Sequence, residues 1–339
     1  MSPPKAIFLA DPVFFINGNP VDYVYGEDQK SRLAHLIDID EAPLTYNEFK
    51  SRIDEFSSVQ YIFSCWGMPA LSDEDLDALP NLKFVFYASG SVTRFAAPFF
   101  NRGIQICSAV EANAKSVAEF CLGQILLSCK RTFTVNRICR QGPWIQKDIP
   151  VGKGVYGETV ALIGIGAVCR HLIKLLKNFN LRIIAYSDYL DDTSAREMGI
   201  DELVDIKRAF AEGYIVSNHL PNKSYLEKIF TEEHFLSMRE NSTFINTGRG
   251  QQVDESGLIS SLKKRPDLTA LLDVQDPEPP EQESDLYSLS NVYMTSHIAG
   301  CMNDEVQRMA DWVIDDFESY LGGKPLKALV NPELSYVRA

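Results

Sequence analysis

The stretch 160-VALIGIGAVC-169 decides the fold, because an apolar run leads into two closely spaced glycines. The run Val160–Ile165 predicts a buried strand, and Gly164 permits a tight turn at its end. Gly166 lets the backbone approach a pyrophosphate group, and the helix N-terminus beyond it adds partial positive charge. Cys169 stands where the pattern usually has a third glycine, so an ordinary strand–turn–helix connection remains an alternative at this point.

An acidic residue follows the glycines at the end of the next predicted strand. Asp188 lies about 20 positions further on, where a carboxylate can accept hydrogen bonds from ribose hydroxyls. Asp191 and Asp192 crowd the same turn, and no arginine is close enough in sequence to bind a 2′-phosphate. This favours NAD over NADP. Two alternatives stay open: Asp188 is a solvated turn residue, or Ser187 takes the acceptor position.

Outward from this stretch, short β-branched and aromatic runs alternate with helical patterns along the chain, which predicts βαβ units and an α/β fold with parallel sheets. We expect two doubly wound lobes: a Rossmann cofactor domain, residues 113–302, and a flavodoxin-like substrate domain, residues 1–112 plus 303–339. The predicted strands are Ala6–Ala10, Val59–Cys65, Leu82–Ala88, Ile104–Ser108, Val160–Ile165, Arg182–Tyr186, Tyr214–Ser217, Thr243–Asn246, Leu268–Val274 and Asn291–Thr295. The main predicted helices are Asn113–Arg140, Val168–Phe179, Glu232–Arg239, Glu255–Lys264 and Asp304–Leu321.

Composition narrows the function classes. The formal net charge is −13 without a basic block, so nucleic acid and anionic membranes are poor partners. No apolar stretch of membrane-spanning length and no signal-peptide core occur in the sequence, so we expect a cytoplasmic protein. The seven cysteines are scattered without metal-ligand spacing, which predicts reduced core thiols and no metal site.

Three residues with complementary chemistry each follow a predicted strand of the second lobe. Arg249 can bind a carboxylate with its planar fork, His297 can donate a proton near neutral pH, and Glu278 can orient that imidazole. Because the carboxyl ends of parallel strands meet at one edge of a sheet, we expect these side chains to converge there. Reduction of a 2-oxo acid needs this combination. A structural ion pair at Arg249 and a plain loop acid at Glu278 are the alternatives.

Several further stretches form a set of motifs, namely 244-FINTGRGQQVD-254, 272-LDV-274 leading to 277-PEP-279, 295-TSHIAG-300, 219-HLP-221 and the region from Asn113 to Glu119. In the order of these motifs the chain resembles the D-isomer specific 2-hydroxyacid dehydrogenases along nearly its whole length. The resemblance implies a catalytic role for Arg249, Glu278 and His297, with hydride exchanged between NAD(H) and a small D-2-hydroxy acid. It also implies that Asp273 contacts the nicotinamide amide.

The resemblance extends to the remaining contacts. The loop Ala88–Arg94 is similar to the carboxylate-holding loop of the family's first lobe, so Ser89, Gly90 and Ser91 are candidate substrate contacts. Arg94 either adds positive charge there or caps its helix on the surface. We expect a homodimer formed through the cofactor lobes, with Arg140–Pro150 crossing the interface. The candidate cofactor contacts are Gly164, Gly166, Ala167, Val168, Asp188, Leu220, Pro221, Thr247, Asp273 and Gly300.

Some positions depart from the family pattern, namely Cys169, Ser187 and Met302, and the Ser89–Ser91 loop lacks the usual acidic residues. These departures leave the cofactor type and the substrate preference open. A second class of function also remains: a dinucleotide-sensing module that binds a protein partner, as the corepressors of this fold do, without turnover. The absence of a basic surface or an extended interaction tail in the sequence disfavours it.

Overall fold

The computed structural model describes residues 5–13, 16–143 and 150–333. Residues 144–149 of the predicted interface segment Arg140–Pro150 therefore lie outside the described part. The chain divides into two compact units, the first up to Asn113 and from Cys301 onward, the second from Ala114 to Gly300. Helices and strands are labelled below in chain order.

The first unit is built on a parallel sheet. Its strands are β1 (Lys5–Phe8), β2 (Asp38–Ile39), β3 (Val59–Ser64), β4 (Phe84–Tyr87) and β5 (Gln105–Ser108), in the spatial order β2-β1-β3-β4-β5. Its helices are α1 (Pro20–Val24), α2 (Glu27–Leu36), α3 (Tyr46–Ser51), α4 (Asp73–Asp77), α5 (Ala97–Asn101) and, near the end of the chain, α13 (Gln307–Leu321).

Side chains along β3 and β4 point alternately to the two faces of this sheet, and both faces are buried. The rings of Phe63 and Phe86 stack at 5.2 Å on one face, and Phe317 of α13 packs edge-on against both. Ile62 and Val85 point to the other face, into a separate apolar cluster. Successive residues of a strand point to opposite sides, so an all-apolar strand needs helices on both faces. The predicted α/β fold with two parallel sheets is confirmed by this unit and the next.

The second unit carries a larger parallel sheet. Its strands are β6 (Tyr156–Ile163), β7 (Asn180–Tyr186), β8 (Glu202–Leu203), β9 (Ile215–Asn218), β10 (Thr243–Asn246), β11 (Thr269–Leu272) and β12 (Val292–Met294), in the order β12-β11-β10-β9-β6-β7-β8. Its helices are α6 (Val110–Cys129, which begins just before the boundary), α7 (Thr132–Arg140), α8 (Ala167–Leu176), α9 (Asp192–Met198), α10 (Ile206–Glu212), α11 (Glu232–Ser237) and α12 (Glu255–Lys264).

The register of this sheet aligns its carboxyl ends. Ile163 pairs with Asn218, Asn218 with Asn246, Asn246 with Leu272, and Leu272 with Met294. These last strand residues lie side by side, so the loop that follows each one starts at the same edge of the sheet. The edge therefore gathers short loops from five strands, and every candidate cofactor or catalytic residue of this unit except Ala167, Val168 and Asp188 lies in these loops.

The prediction of one long helix over Asn113–Arg140 is wrong, because the segment forms two helices, α6 and α7. The break lies at Arg131, whose φ of 58° is in the left-handed region. Its guanidinium lies 5.2 Å from the ring centroid of Tyr214 and donates a hydrogen bond to the carbonyl of Val151 at 2.7 Å. These are contacts with distant residues, which an apolar periodicity cannot reveal.

Two further findings concern the described part as a whole. Its helices are all too short or too polar to cross a membrane. All seven cysteines fall within it, none of them forms a disulfide bond there, and six of them are buried.

Candidate functional site

The glycine turn after β6 has the shape that a dinucleotide needs. Gly164 has a φ of 91°, and a Cβ there would approach the backbone nitrogen of Leu220 to 2.9 Å, so only glycine fits. At Gly166 a Cβ would meet no atom within 4 Å, which leaves open space in front of the turn. Gly166 is the N-cap of α8 and offers no side chain to cap its amides. An uncapped ten-residue helix facing open space fits a pyrophosphate.

The carboxyl end of β7 carries the acidic residue expected near a ribose. Asp188 is exposed, and its Oδ1 accepts a hydrogen bond from the Tyr186 hydroxyl at 2.6 Å. Partial burial, together with this hydrogen bond, raises the pKa of Tyr186 to about 12. Ser187 Oγ accepts from the backbone of Tyr189. Asp188 thus keeps an oxygen, Oδ2, that the Tyr186 contact does not use.

The loops after β10, β11 and β12 bring the three candidate catalytic residues to one edge. His297 Nδ1 lies 2.8 Å from Glu278 Oε1, and both side chains are partly accessible to solvent. Arg249 is half-buried, and its Nη1 donates to the carbonyl of Gly248 at 2.7 Å. Burial lowers the pKa of Arg249, while the nearby charge of Glu278 opposes that shift. A guanidinium titrates so high that Arg249 stays charged at neutral pH.

Asp273, the first residue after β11, anchors the loop that carries His297. His297 has a φ of 59°, a strained conformation for a residue with a Cβ. Its backbone N–H donates to the carbonyl of Asp273 at 2.9 Å, and the next two amides donate to the Asp273 carboxylate at 2.8 and 3.0 Å. Thr295 Oγ1 donates to the same carboxylate at 2.6 Å. Charge-assisted hydrogen bonds of this kind stabilise the strained loop.

These contacts use both oxygens of Asp273, which is 1% exposed. The sequence resemblance implied a contact with the nicotinamide amide instead, and that role stays a prediction. The anchoring role was not predicted, although the position of Asp273 beside Thr295 in the strand register is a signal that could have suggested it.

Gly250 ties the Arg249 turn to the loop that leads to Glu278. A Cβ at Gly250 would overlap the backbone of Gln275 and Asp276, so the two loops touch backbone to backbone. Neither loop can move closer to the other without a clash of main-chain atoms. The relative position of Arg249 and Glu278 is therefore set by main-chain packing, which tolerates less movement than side-chain contacts do.

His219 lies beside the glycine turn and bridges two hydroxyls. Its Nε2 is 2.8 Å from Ser217 Oγ, and its Nδ1 is 3.3 Å from Thr247 Oγ1. Thr247 Oγ1 also lies 3.4 Å from the sulfur of Cys121. Desolvation lowers the pKa of His219 to about 4, so the ring is neutral at pH 7. This arrangement supports a structural role for His219 and keeps Thr247 in place at the edge.

The remaining candidates of this unit sit around the same edge. Leu220 is buried and its neighbour Pro221 half-buried, and both follow β9 directly. Ala167 and Val168 form the half-buried first turn of α8, and Gly300 follows the anchored His297 loop.

Protonation of His219 gives a testable pH dependence of stability. An unfolded histidine takes up a proton near pH 6.5 and the folded ring only near pH 4, so the unfolded state binds more protons between these values and acid destabilises the fold. Because the ring is partly accessible to solvent, we expect a destabilisation of about 2 kcal/mol at pH 4.5, which is less than the full pKa shift would give. The measurement is the free energy of unfolding of His219→Gln minus that of the wild type at pH 7 and pH 4.5.

The free energy of unfolding of His219→Gln, relative to that of the wild type, should be higher at pH 4.5 than at pH 7. The matched control is His35→Gln, since His35 is exposed. An equal difference between His219→Gln and wild type at both pH values would contradict the assignment.

In the first unit, the loop after β4 holds the candidate substrate contacts. Ser108 Oγ donates to the carbonyls of Ser89 and Gly90, at 3.0 and 2.5 Å. Ser91 is exposed and its hydroxyl pairs with that of Thr93 at 2.9 Å. Arg94 is exposed at the end of the loop. Ser108 thus holds the loop backbone in place. Ser91, Thr93 and Arg94 are exposed, whereas Ser89 is buried.

The chain is similar to known proteins in sequence and in fold. Residues 122–299 match the family model described as D-isomer specific 2-hydroxyacid dehydrogenase, NAD binding domain. The matched range holds the glycine turn, Arg249, Glu278 and His297.

Individual relatives match most of the chain. It is 30% identical over 269 residues to a glyoxylate reductase of Thermofilum pendens, which covers 78% of this chain and 79% of the relative. A glyoxylate reductase of Korarchaeum cryptofilum is 26% identical over 88% of this chain and 90% of its own length. Among solved structures, a phosphoglycerate oxidoreductase from Rhizobium etli superposes with a TM-score of 0.79 at 22% identity, covering 97% of this chain and 99% of the other.

Proposed function

The chain belongs to the D-isomer specific 2-hydroxyacid dehydrogenase family, and on that premise we propose that it is an NAD-dependent enzyme that interconverts a small D-2-hydroxy acid and its 2-oxo acid. The observation that carries this proposal is the 2.8 Å contact between His297 Nδ1 and Glu278 Oε1. It lies at the strand edge that also holds Arg249 and the glycine turn. An oriented imidazole beside a guanidinium suits a reaction in which a carbonyl oxygen of an anion gains a proton.

Each side chain has a distinct task in this proposal. Arg249 holds the substrate carboxylate and polarises the neighbouring carbonyl, since its fork matches both oxygens. Glu278 accepts a hydrogen bond from the Nδ1–H of His297 and orients the ring, so that Nε2 of the protonated imidazole holds the proton to be transferred. That proton passes to the carbonyl oxygen as the carbonyl carbon gains a hydride. In the opposite direction, neutral His297 takes the hydroxyl proton back.

The cofactor of this proposal is NAD, which supplies the hydride when it is bound in its reduced form. Gly164, Gly166 and the first amides of α8 would hold the pyrophosphate, because the open space and the uncapped helix end fit that group. Asp188 would accept hydrogen bonds from the ribose hydroxyls, and a carboxylate there repels a 2′-phosphate. Leu220, Pro221, Thr247 and Gly300 would line the rest of the cofactor path.

The substrate would be a small 2-oxo acid, with Ser89, Gly90 and Ser91 of the first unit as further contacts and Arg94 as an additional cation. We also expect the protein to act in the cytoplasm as a homodimer. Because two of the relatives are named glyoxylate reductases, glyoxylate is the first substrate to test.

The test is a substrate panel with both cofactors. Purified protein is mixed with NADH or NADPH and with glyoxylate, hydroxypyruvate, pyruvate and longer 2-oxo acids, and oxidation of the cofactor is followed at 340 nm. We expect turnover of at least one acid, with a kcat/KM for NADH about tenfold or more above that for NADPH, since one unfavourable charge contact costs on the order of 1 kcal/mol or more.

Two results would go against the proposal. A preference for NADPH would overturn the assignment of Asp188 while leaving the reaction in place. Binding of NADH without turnover of any acid, together with tight binding of a protein partner, would favour the dinucleotide-sensing alternative.

A further inference from the structure

Three buried carboxamides lie between the strand ends and form one hydrogen-bonded cluster. Asn218, Asn246 and Gln252 are each at most 1% exposed. Asn218 and Asn246 end β9 and β10, and Gln252 lies in the short 3₁₀ turn after Arg249. The Asn218 amide donates to Asn246 Oδ1 at 2.9 Å and to Gln252 Oε1 at 2.7 Å. We call these three residues the amide cluster.

One side of the amide cluster fixes the backbone on which Arg249 is mounted. Gln252 Oε1 accepts from the Arg249 backbone N–H at 3.2 Å, and Asn246 Nδ2 donates to the Arg249 carbonyl at 3.2 Å. Asn246 Oδ1 also accepts from the N–H of Gly248 at 3.1 Å. Both polar backbone atoms of Arg249 are therefore held by buried side chains.

The other side fixes the turn after β9. Gln252 Nε2 donates to the carbonyls of Leu220 and Pro221, at 3.2 and 2.8 Å. Asn218 Oδ1 accepts from the N–H of Leu220 at 3.1 Å. The same N–H lies directly behind Gly164 of the glycine turn. Leu220 and Pro221 are thus tied to the proposed cofactor path and to the amide cluster at once.

Gln252 is the residue common to both sides, and its hydrogen-bonding capacity is fully used. A carboxamide has two N–H donors and two acceptor positions on its oxygen. The donors bind Leu220 and Pro221, and the oxygen binds Asn218 and Arg249. A shift of either loop would leave a buried polar group unpaired, so each loop stabilises the position of the other.

We infer that Gln252 is a positioning residue that couples the cofactor turn Leu220–Pro221 to Arg249, so that dinucleotide and 2-oxo acid each strengthen the binding of the other. The inference rests on the proposed function. Coupling of this kind is reciprocal, because each ligand changes the affinity of the other by the same factor. The role of Gln252 is therefore read from the factor by which one ligand changes the affinity of the other. Neither protein stability nor the fraction of active protein reports on it.

The experiment measures that factor in the full chain. The Kd of NADH is determined by fluorescence titration with and without oxamate, an unreactive analogue of a 2-oxo acid. In the wild type we expect oxamate to tighten NADH binding by about tenfold. Gln252→Glu keeps the shape and the acceptors but loses the donors to Leu220 and Pro221. We expect it to reduce the factor to about twofold or less.

The chain offers a matched control at the next position. Gln251 is exposed, so Gln251→Glu adds the same charge one residue away and should keep the wild-type factor. If Gln252→Glu does not fold, Gln252→Met is measured instead, because it removes the same hydrogen bonds without adding a charge. A purely structural role of Gln252 would lower the melting temperature and leave the factor at its wild-type value.

The outcomes separate this inference from the proposed function. A wild type that turns over a 2-oxo acid while NADH and oxamate bind independently overturns the coupling alone. An unchanged factor in the Gln252 variants does the same. A wild type that neither turns over any 2-oxo acid nor binds oxamate overturns the proposed function.

Discussion

Replacing His297 with alanine should lower kcat by on the order of 10² or more, with an unchanged Kd for NADH. The substitution removes the group that carries the proton to the carbonyl oxygen in the proposed mechanism. The Asp273 anchor binds backbone atoms of the loop, so it survives the change and the loop keeps its course. Steady-state kinetics and fluorescence titration of NADH with the purified variant give both quantities.

Two variants make this result interpretable. His35→Ala removes an exposed histidine and should leave kcat at the wild-type level. Glu278→Gln keeps a hydrogen-bond acceptor beside His297 but removes the charge, so its kcat should lie between the wild type and His297→Ala. Wild-type turnover in His297→Ala would show that another group donates the proton, and the role assigned to His297 would have to be given up.

The second large effect concerns substrate binding. Arg249→Lys retains a positive charge but loses the fork that binds a carboxylate through two parallel hydrogen bonds. We expect the KM for the 2-oxo acid to rise by on the order of 10², which corresponds to about 3 kcal/mol. The Kd of NADH should change little in the absence of substrate. The amide cluster binds the backbone of residue 249, so it should remain intact.

Arg208→Lys is the matched control, because Arg208 lies in the same unit and forms surface ion pairs with Glu202 and Glu212. Such pairs contribute little to binding at a distant site, and its KM should stay at the wild-type value. A KM that is unaffected by Arg249→Lys would mean that the substrate carboxylate is held elsewhere, for which Arg94 would be the next candidate.

Much of the fold could be predicted from local patterns. Strand β10 was predicted with its bounds, because three apolar or β-branched residues are followed by Asn246 and the Gly248 turn. The strands β2 and β8 were not predicted, since two residues such as Glu202 and Leu203 show no alternation. The break at Arg131 was missed because a long-range contact with Tyr214 stabilises it.

Part of the candidate site could also be predicted from the sequence. The meeting of His297 and Glu278 follows from parallel strand order, which aligns loops that are distant in the sequence. The amide cluster does not follow from any local pattern, because asparagine and glutamine near glycines look like ordinary turn residues. The available signal for this cluster was that Asn218 and Asn246 are each the last residue of a buried strand.

The backbone contact at Gly250 has a consequence for anyone who redesigns this chain. The turn with Arg249 and the segment with Asp276 are in direct backbone contact. Replacing only one of these two segments with that of a relative would pair it with a backbone that it does not fit. Replacing both together would preserve the spacing between the Arg249 guanidinium and the Glu278 carboxylate.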